Sequence, residues 1–205
     1  MIRIHPISGN KKQYLDLLLL ADEQESMIDR YLERGEMFIL SDNDTVKASC
    51  VITCEDKGIY EIKSIAVYPE YQRQGYGRQL IAFVLEHYKD RCHTMLVGTG
   101  DSPLTIPFYE SCGFAYSHRV PDFFIDNYDH PIFEGGKQLK DMIYLKRMLQ
   151  PRLHTLWKLN FAKAAECPCH PQKYSEPMPT VASTRNIAPI AISTVILHKT
   201  VLWTK

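Results

Sequence analysis

Runs of alternating apolar and polar residues are interspersed with runs of helical spacing over the first 149 positions of this 205-residue chain. Alternation with a period of two predicts strands, and apolar residues three or four apart predict amphipathic helices. The predicted strands cover residues 2–7, 37–40, 46–54, 59–67, 95–97, 114–118 and 141–146. The predicted helices cover residues 14–20, 27–32, 80–88 and 102–112. This order predicts an α/β protein with a mixed central sheet flanked by helices.

Glycine and proline positions predict where several of these elements end. The strand at 95–97 should follow the one at 59–67 through a right-handed crossover and run parallel to it. The segment from Gly98 to Pro103 predicts the end of that strand, with Asp101 or Ser102 capping the next helix. That helix should end at Gly113 in the left-handed conformation.

A glycine-bearing turn joins the strand at 59–67 directly to the following helix. Gly75 and Gly77 leave room for a ligand to approach the backbone. The first turn of a helix also presents unpaired N–H groups and the positive end of its dipole, so a pyrophosphate fits this turn. No third glycine follows for a dinucleotide loop, and no Gly-Lys-Ser/Thr follows for a triphosphate loop. Glycines that only reverse the chain are the alternative.

The turn carries the string Gln72-x-x-Gly75-x-Gly77 after Ile-Ala-Val-x-Pro. This string resembles the acyl-CoA loop of the GNAT N-acetyltransferase superfamily, and the resemblance covers about residues 2–149. It implies the GNAT fold, acetyl-CoA as co-substrate and direct transfer of an acetyl group to an amine. The pantetheine arm would bond the strand backbone, and the pyrophosphate would meet the N–H groups of the turn. The implied cofactor-binding residues are Ile65, Ala66, Val67, Arg73, Gln74, Gly75, Tyr76, Gly77, Arg78 and Ser102.

A tyrosine near the end of the short helix is the implied general acid. Tyr109, followed by Gly113 and Phe114, resembles the second GNAT signature, in which the phenol protonates the departing CoA thiolate or holds it by a hydrogen bond. A thiol has a pKa of about 8.5 and its thiolate leaves readily, so loss of the phenol should slow the reaction without abolishing it. A tyrosine that only packs the helix is the alternative. Ser102 falls where many relatives carry a pantetheine-binding asparagine, and it either serves the cofactor or caps the helix.

A proton acceptor is needed because an amine with a pKa near 10 is mostly protonated at neutral pH. The resemblance implies Glu61 as this base, acting directly or through water. Strand alternation places Glu61, Lys63, Ile65 and Val67 on one face, so an ion pair between Glu61 and Lys63 is the alternative. Another branch of the superfamily uses the position held here by apolar Val97, which argues against a peptide N-terminal acetylase.

Acidic and aromatic residues alternate between positions 122 and 141, resembling the terminal loop of small bacterial GNAT enzymes. Carboxylates attract a cationic amine, and aromatic rings can lie against its alkyl part or its ammonium group. The expected acceptor is a small-molecule amine or a protein amine. A solvated loop packed by its own Phe and Tyr side chains is the alternative.

The overall composition, with 45% hydrophobic and 23% charged residues, is that of a soluble globular protein. A net charge of +0 predicts neither nucleic-acid nor membrane binding. No apolar run reaches the ~20 residues that span a bilayer, and the N-terminus lacks a secretion signal, so we expect a cytoplasmic protein. The Cys167-Pro168-Cys169-His170 segment has no second ligand pair at a suitable distance, so no metal is expected. The sequence leaves open whether two copies of the chain form a homodimer.

The last 56 residues differ from the rest in composition. They contain seven Lys/Arg and two Glu, no glycine, and half of the prolines. We expect a GNAT domain at 1–149 and a loosely ordered basic extension at 150–205. Two other functions remain: a non-catalytic acyl-CoA-binding regulatory module, and an adaptor that binds a partner through the extension.

Overall fold

The computed structural model describes residues 1–149, which form strands, α-helices and two 3-10 turns. The strands are β1 (Ile2–Ile7), β2 (Glu36–Asp42), β3 (Thr45–Asp56), β4 (Ile59–Val67), β5 (Thr94–Gly100), β6 (Ala115–Val120), β7 (Phe133–Glu134), β8 (Lys137–Gln138) and β9 (Met142–Met148). The helices are α1 (Leu15–Leu18), α2 (Glu25–Asp29), α3 (Tyr76–Tyr88), α4 (Thr105–Ser111) and α5 (Phe123–Asn127), with 3-10 turns at Lys11–Tyr14 and Pro69–Tyr71.

Within the described residues, seven strands form one mixed sheet in the order β1-β2-β3-β4-β5-β9-β6. The first four strands are an antiparallel meander, β5 is parallel to β4, and β9 is antiparallel to both β5 and β6. β7 and β8 form a separate two-stranded hairpin. The mixed sheet and the parallel crossover through α3 confirm the fold class predicted from the sequence.

Two apolar clusters lie on opposite faces of the sheet. The larger one is centred on α3. Its helical members are Leu80, Ile81, Val84, Leu85 and Tyr88, as the periodicity predicts. The smaller cluster joins α1 and the segment around α2 to the other face, where Met37, Ile39 and Val51 are fully buried. Helices therefore cover both faces of the strands that lead into the glycine turn.

The end of β5 differs from the prediction. The strand continues through Gly98 to Gly100, which pairs with Met142 of β9, and α4 begins only at Thr105. A Cβ at Gly98 would lie 2.8 Å from the Met142 sulfur, and one at Gly100 would lie 2.4 Å from a Leu139 methyl. These glycines allow close packing within the sheet, so they do not end the strand.

The acidic and aromatic segment after β6 contains more structure than a loop. It forms α5 and the β7–β8 hairpin, and Phe124, Ile132 and Leu139 make a small core of their own. Among residues 1–149, no helix is long and apolar enough to cross a membrane. The predicted extension at 150–205, including the segment at 167–170, lies outside the described residues.

Candidate active site

β4 and β5 pair over only part of their lengths. Their pairing runs from Ile59 beside Thr94 to Ile62 beside Val97. Beyond that point β4 stays paired with β3 up to Val67, whereas β5 stays paired with β9. The parting leaves the β5-facing edge of β4 without a strand partner in the described chain, along the stretch that contains Ile65, Ala66 and Val67.

A β-bulge lies where the two strands begin to part. Ile62 pairs with Ile52 of β3 and Ser64 pairs with Val51, so Lys63 is an extra residue on β4. A bulge of this kind bends its strand and increases the local twist. The bulge therefore provides a local reason for the opening between β4 and β5.

Because of the bulge, the side chains of β4 are distributed over the two faces of the sheet differently from the prediction. Residues directly opposite on paired strands share a face. Glu61 lies opposite Thr53, and Ile65 lies opposite Cys50. Thr53 and Cys50 are three residues apart on β3 and therefore point to opposite faces, so Glu61 and Ile65 do as well. The prediction that Glu61, Lys63, Ile65 and Val67 share one face was wrong, because simple alternation does not account for an inserted residue.

The glycine turn has the geometry of an anion site. Gly75 has a φ of 87° and precedes α3. The first bond into the helix runs from the Gln79 N–H to the Gly75 carbonyl, 3.0 Å away. The N–H groups of Tyr76, Gly77 and Arg78 precede this bond and have no acceptor within the helix. A Cβ at Gly75 would find only the Gln79 amide, 3.9 Å away, so the space beside this residue is open.

The other glycine of the turn has a packing role. A Cβ at Gly77 would lie 3.3 Å from the Phe108 ring and 3.6 Å from a Val67 methyl. Gly77 therefore lets α3 lie close to α4 and to the end of β4, while its N–H still belongs to the first turn.

The side chains around the turn are directed to several places. The Arg78 guanidinium donates to the carbonyl and the hydroxyl of Ser111 at 3.1 and 3.0 Å, at the end of α4. Gln74 donates to the Glu70 carbonyl at 3.0 Å. Arg73 is exposed and has a φ of 60°. Of the two arginines expected to add charge to the site, Arg78 is thus engaged with α4.

A cavity of about 290 Å³ opens at the parting of the strands. It is lined by Leu20, Ala21, Asp22, Glu23, Ile62, Lys63, Ser64, Ile65, Gly98, Thr99, Gly100, Thr105, Tyr109, Phe124, Tyr128, Ile132, Phe133, Glu134, Leu139 and Met142. Three walls meet here: α4, the parted ends of β4 and β5, and the segments around the α1–α2 connection and α5. The cavity thus connects the side of α4 to the acidic and aromatic side.

Tyr109 reaches this cavity from α4, one turn beyond Thr105. Its side chain is 7% exposed, and burial raises the pKa of the phenol, so it carries its proton at neutral pH. Ser102 is buried, and its hydroxyl accepts the Leu104 N–H at 3.1 Å, a local bond just before α4, whose N-cap is Leu104 and not the predicted Asp101 or Ser102. The sequence reading missed Thr105, which accepts a hydrogen bond from Thr99 at 2.8 Å.

Comparison with known proteins identifies the family. A model of the acetyltransferase (GNAT) domain matches residues 33–116. The uncharacterized N-acetyltransferase YvbK of Bacillus subtilis is 36% identical over 146 residues, which cover 70% of this chain and 94% of that protein. The chain belongs to the GNAT acetyltransferase superfamily.

Solved structures agree with this assignment. A GNAT family acetyltransferase from Elizabethkingia anophelis with acetyl-CoA bound is 37% identical, with a TM-score of 0.69 over 72% of this chain and 98% of that one. A Bacillus subtilis acetyltransferase in complex with CoA is 35% identical, with a TM-score of 0.68 over 73% of this chain and 100% of that one. The predicted GNAT resemblance and acyl-CoA-dependent acetyl transfer are therefore confirmed.

In this GNAT chain, Glu61 is part of a buried ion pair. The Lys63 ammonium lies 2.8 Å from the Glu61 carboxylate and 3.6 Å from that of Glu55. Burial raises the pKa of Glu61, and the charge of Lys63 opposes that rise. Of these residues Lys63 lines the cavity, while Glu61 is not among the described residues that do. The structure thus shows the ion pair between Glu61 and Lys63 that was the alternative to a catalytic role. The role of Glu61 as base stays a prediction.

The acidic and aromatic side of the GNAT cavity is built from segments far apart in sequence. Asp22 accepts a hydrogen bond from the Tyr128 hydroxyl at 3.0 Å. The Tyr128 ring stacks on Phe124 with centroids 5.4 Å apart. Burial raises the pKa of Asp22, and Glu134 adds a further carboxylate. Tyr128 and Glu134 belong to the acidic and aromatic segment predicted at 122–141, whereas the sequence analysis missed Asp22, which follows α1 in a connection without any motif.

Proposed function

We propose that this protein transfers the acetyl group of acetyl-CoA to a small cationic amine, which attacks the thioester directly where β4 and β5 part. The observation that carries the proposal is the cavity at this point. It is lined both by Tyr109 and by the carboxylates of Asp22, Glu23 and Glu134.

Acetyl-CoA would occupy the side of α3 and α4. The pyrophosphate would accept hydrogen bonds from N–H groups between Arg73 and Arg78, where the helix dipole favours an anion. The pantetheine arm would lie along the free edge of β4 at Ile65, Ala66 and Val67, in place of a strand. The bond that the Ser102 hydroxyl accepts from the Leu104 N–H favours a local structural role over a direct contact with the arm.

Tyr109 is proposed as the general acid. When the neutral amine attacks, the new C–N bond forms, the C–S bond breaks and the thiolate needs a proton. The raised pKa of Tyr109 keeps its phenol protonated through neutral pH, so it can donate that proton or hold the thiolate by a hydrogen bond. Solvent then restores the proton of the phenol.

The acceptor side favours a cation over an anion. Its carboxylates attract an ammonium group, and the faces of Phe124 and Tyr128 can lie against the alkyl part. Lys63 also lines the cavity, but Glu61 and Glu55 oppose its charge. A substrate with a carboxylate next to its amine would be repelled by Asp22 and Glu134.

An amine panel with detection of free CoA thiol tests this function. The panel contains alkylamines, linear diamines, amino acids and short peptides with a free N-terminus. We expect release of CoA with the largest kcat/KM for an amine that lacks a carboxylate, and a larger value for a diamine than for the matched monoamine. Preference for acidic amines, or binding of acetyl-CoA without turnover of any amine, contradicts the proposal.

A further inference from the structure

Asp22 occupies a position from which a carboxylate can act on an amine. It lines the cavity and accepts the hydrogen bond from Tyr128. Glu23, Arg30 and Tyr31 are the other charged or titratable groups that face it. Burial raises the pKa of Asp22, while Arg30 and the bond from Tyr128 oppose that rise. A carboxylate of raised pKa is a better proton acceptor than an ordinary one.

One of the buried hydroxyl groups of the described chain, that of Tyr31, interacts electrostatically with Asp22. Within residues 1–149, the side-chain oxygens of Tyr31, Ser49 and Ser64 are buried and have no hydrogen-bond partner in the protein. The side chain of Tyr31 is 6% exposed, and the charge of Asp22 acts on its hydroxyl. The side chain of Ser64 is 3% exposed and lines the cavity. The hydroxyls of Tyr31 and Ser64 neighbour each other without hydrogen-bond geometry.

Buried polar groups of this kind are normally satisfied by ordered water. A water bonded to the hydroxyls of Ser64 and Tyr31 would adjoin the cavity that Ser64 and Asp22 both line. Glu61 has a different setting, because its carboxylate is held 2.8 Å from the Lys63 ammonium. The favourable path for a proton from the cavity therefore leads to Asp22.

We propose that Asp22 is the proton acceptor of the acetyl transfer, reached through a water held by the hydroxyls of Ser64 and Tyr31. This inference rests on the proposed function. The ammonium gives one proton to the water, which passes one to Asp22, and the neutral amine attacks the thioester. The second nitrogen proton passes to solvent as the amide forms, Tyr109 protonates the CoA thiolate and regains a proton from solvent, and Asp22 releases its proton to solvent. Ser64 and Tyr31 are positioning residues in this path.

The test compares Asp22→Asn with wild type on the best amine that wild type acetylates. The variant should lose roughly 10²-fold or more in kcat/KM and also the low-pH limb of the pH–rate profile, because no carboxylate then titrates there. Its affinity for CoA and its melting temperature should not change. Asp126→Asn removes an exposed carboxylate outside the cavity lining and should behave as wild type.

Two further variants complete the test. Tyr31→Phe should lower kcat more than it changes the KM for the amine. Asp22→Ala should regain activity when formate is added, since the small acid can fill the vacated space. A wild-type pH profile in Asp22→Asn, with the limb lost in Glu61→Gln instead, would overturn the inference and assign the base to Glu61. An active wild type with an unaffected Asp22→Asn variant would refute only the role of Asp22. A wild type that acetylates no amine would refute the proposed acetyl transfer itself, so the two failures are distinguishable.

Discussion

The two sides of the cavity are built in different ways. The proposed CoA side uses backbone groups from one short stretch, from the free edge of β4 at Ile65 to the first turn of α3 at Arg78. The acceptor side uses side chains from the α1–α2 connection, α5 and the β7–β8 hairpin, and its hydrogen-bonded pair Asp22 and Tyr128 are 106 residues apart in sequence.

This difference explains why one side could be predicted and the other could not. A backbone anion site needs glycine at a position with positive φ and a helix that starts there, and both requirements leave a local mark in the sequence. A side-chain pocket needs only that distant carboxylates and rings meet in space. Asp22 and Tyr128 meet through the fold, and nothing near Asp22 in the sequence indicates it.

The largest expected effect is on the CoA side. Gly75→Val places a β-branched residue at a φ of 87°, which L side chains rarely adopt, and fills the open space beside the turn. We expect no measurable binding of acetyl-CoA by titration calorimetry. Gly136→Val is the matched control, because Gly136 also has a positive φ, 79°, and lies in the β7–β8 hairpin. It should keep its CoA affinity, and equal loss in both variants would mean that backbone strain alone is responsible.

Tyr109→Phe should have the next largest effect. We expect kcat to fall by ~10²-fold with little change in CoA affinity, because the proton donor is lost and the ring still packs. Burial raises the pKa of Tyr109, so the wild-type rate should show no fall on the alkaline side near the ordinary tyrosine pKa. Tyr116→Phe is the exposed control. Wild-type steady-state kinetics in Tyr109→Phe would leave the tyrosine with a packing role.

Glu134→Gln should sharpen the contrast from the acceptor side. The loss of one cavity carboxylate should raise the KM for a cationic amine by about tenfold, because a charge-assisted contact is lost. The affinity for CoA should stay unchanged. Glu33→Gln is an exposed control outside the cavity lining. An unchanged KM for the amine in Glu134→Gln, or an equal change in CoA affinity, would show that Glu134 does not act specifically on the amine.

The smallest effects are expected for the two arginines of the turn. Arg78→Gln removes the bonds to Ser111 and should lower the free energy of unfolding by about 1 kcal/mol, with nearly unchanged CoA affinity. Arg73→Gln should do the reverse and weaken CoA binding by a few-fold, since its exposed side chain is free to turn toward a phosphate. Denaturant titrations and calorimetry on both variants separate these effects, and the opposite ranking would contradict the geometry of Arg78.

Most of the fold could be predicted because its strands and α3 follow simple periods. β1 and β4 have the predicted limits, and the buried face of α3 is the predicted one. The errors have a common cause in contacts between distant segments. The bulge at Lys63 depends on pairing with β3. Positions 98 and 100 need glycine because Met142 and Leu139 occupy the space that a Cβ would take. Neither contact is visible in the local sequence.

The central claim is that CoA binds through the backbone of one side and the amine through side chains of the other. NMR chemical-shift mapping, with CoA added first and the best amine of the panel second, tests it most directly. We predict that CoA shifts the amide signals of Ile65, Ala66 and Val67 and those between Arg73 and Arg78. The amine should then shift signals of Asp22, Tyr128 and Glu134. Shifts from CoA centred on Asp22 and Tyr128, with the glycine turn unaffected, would contradict the account.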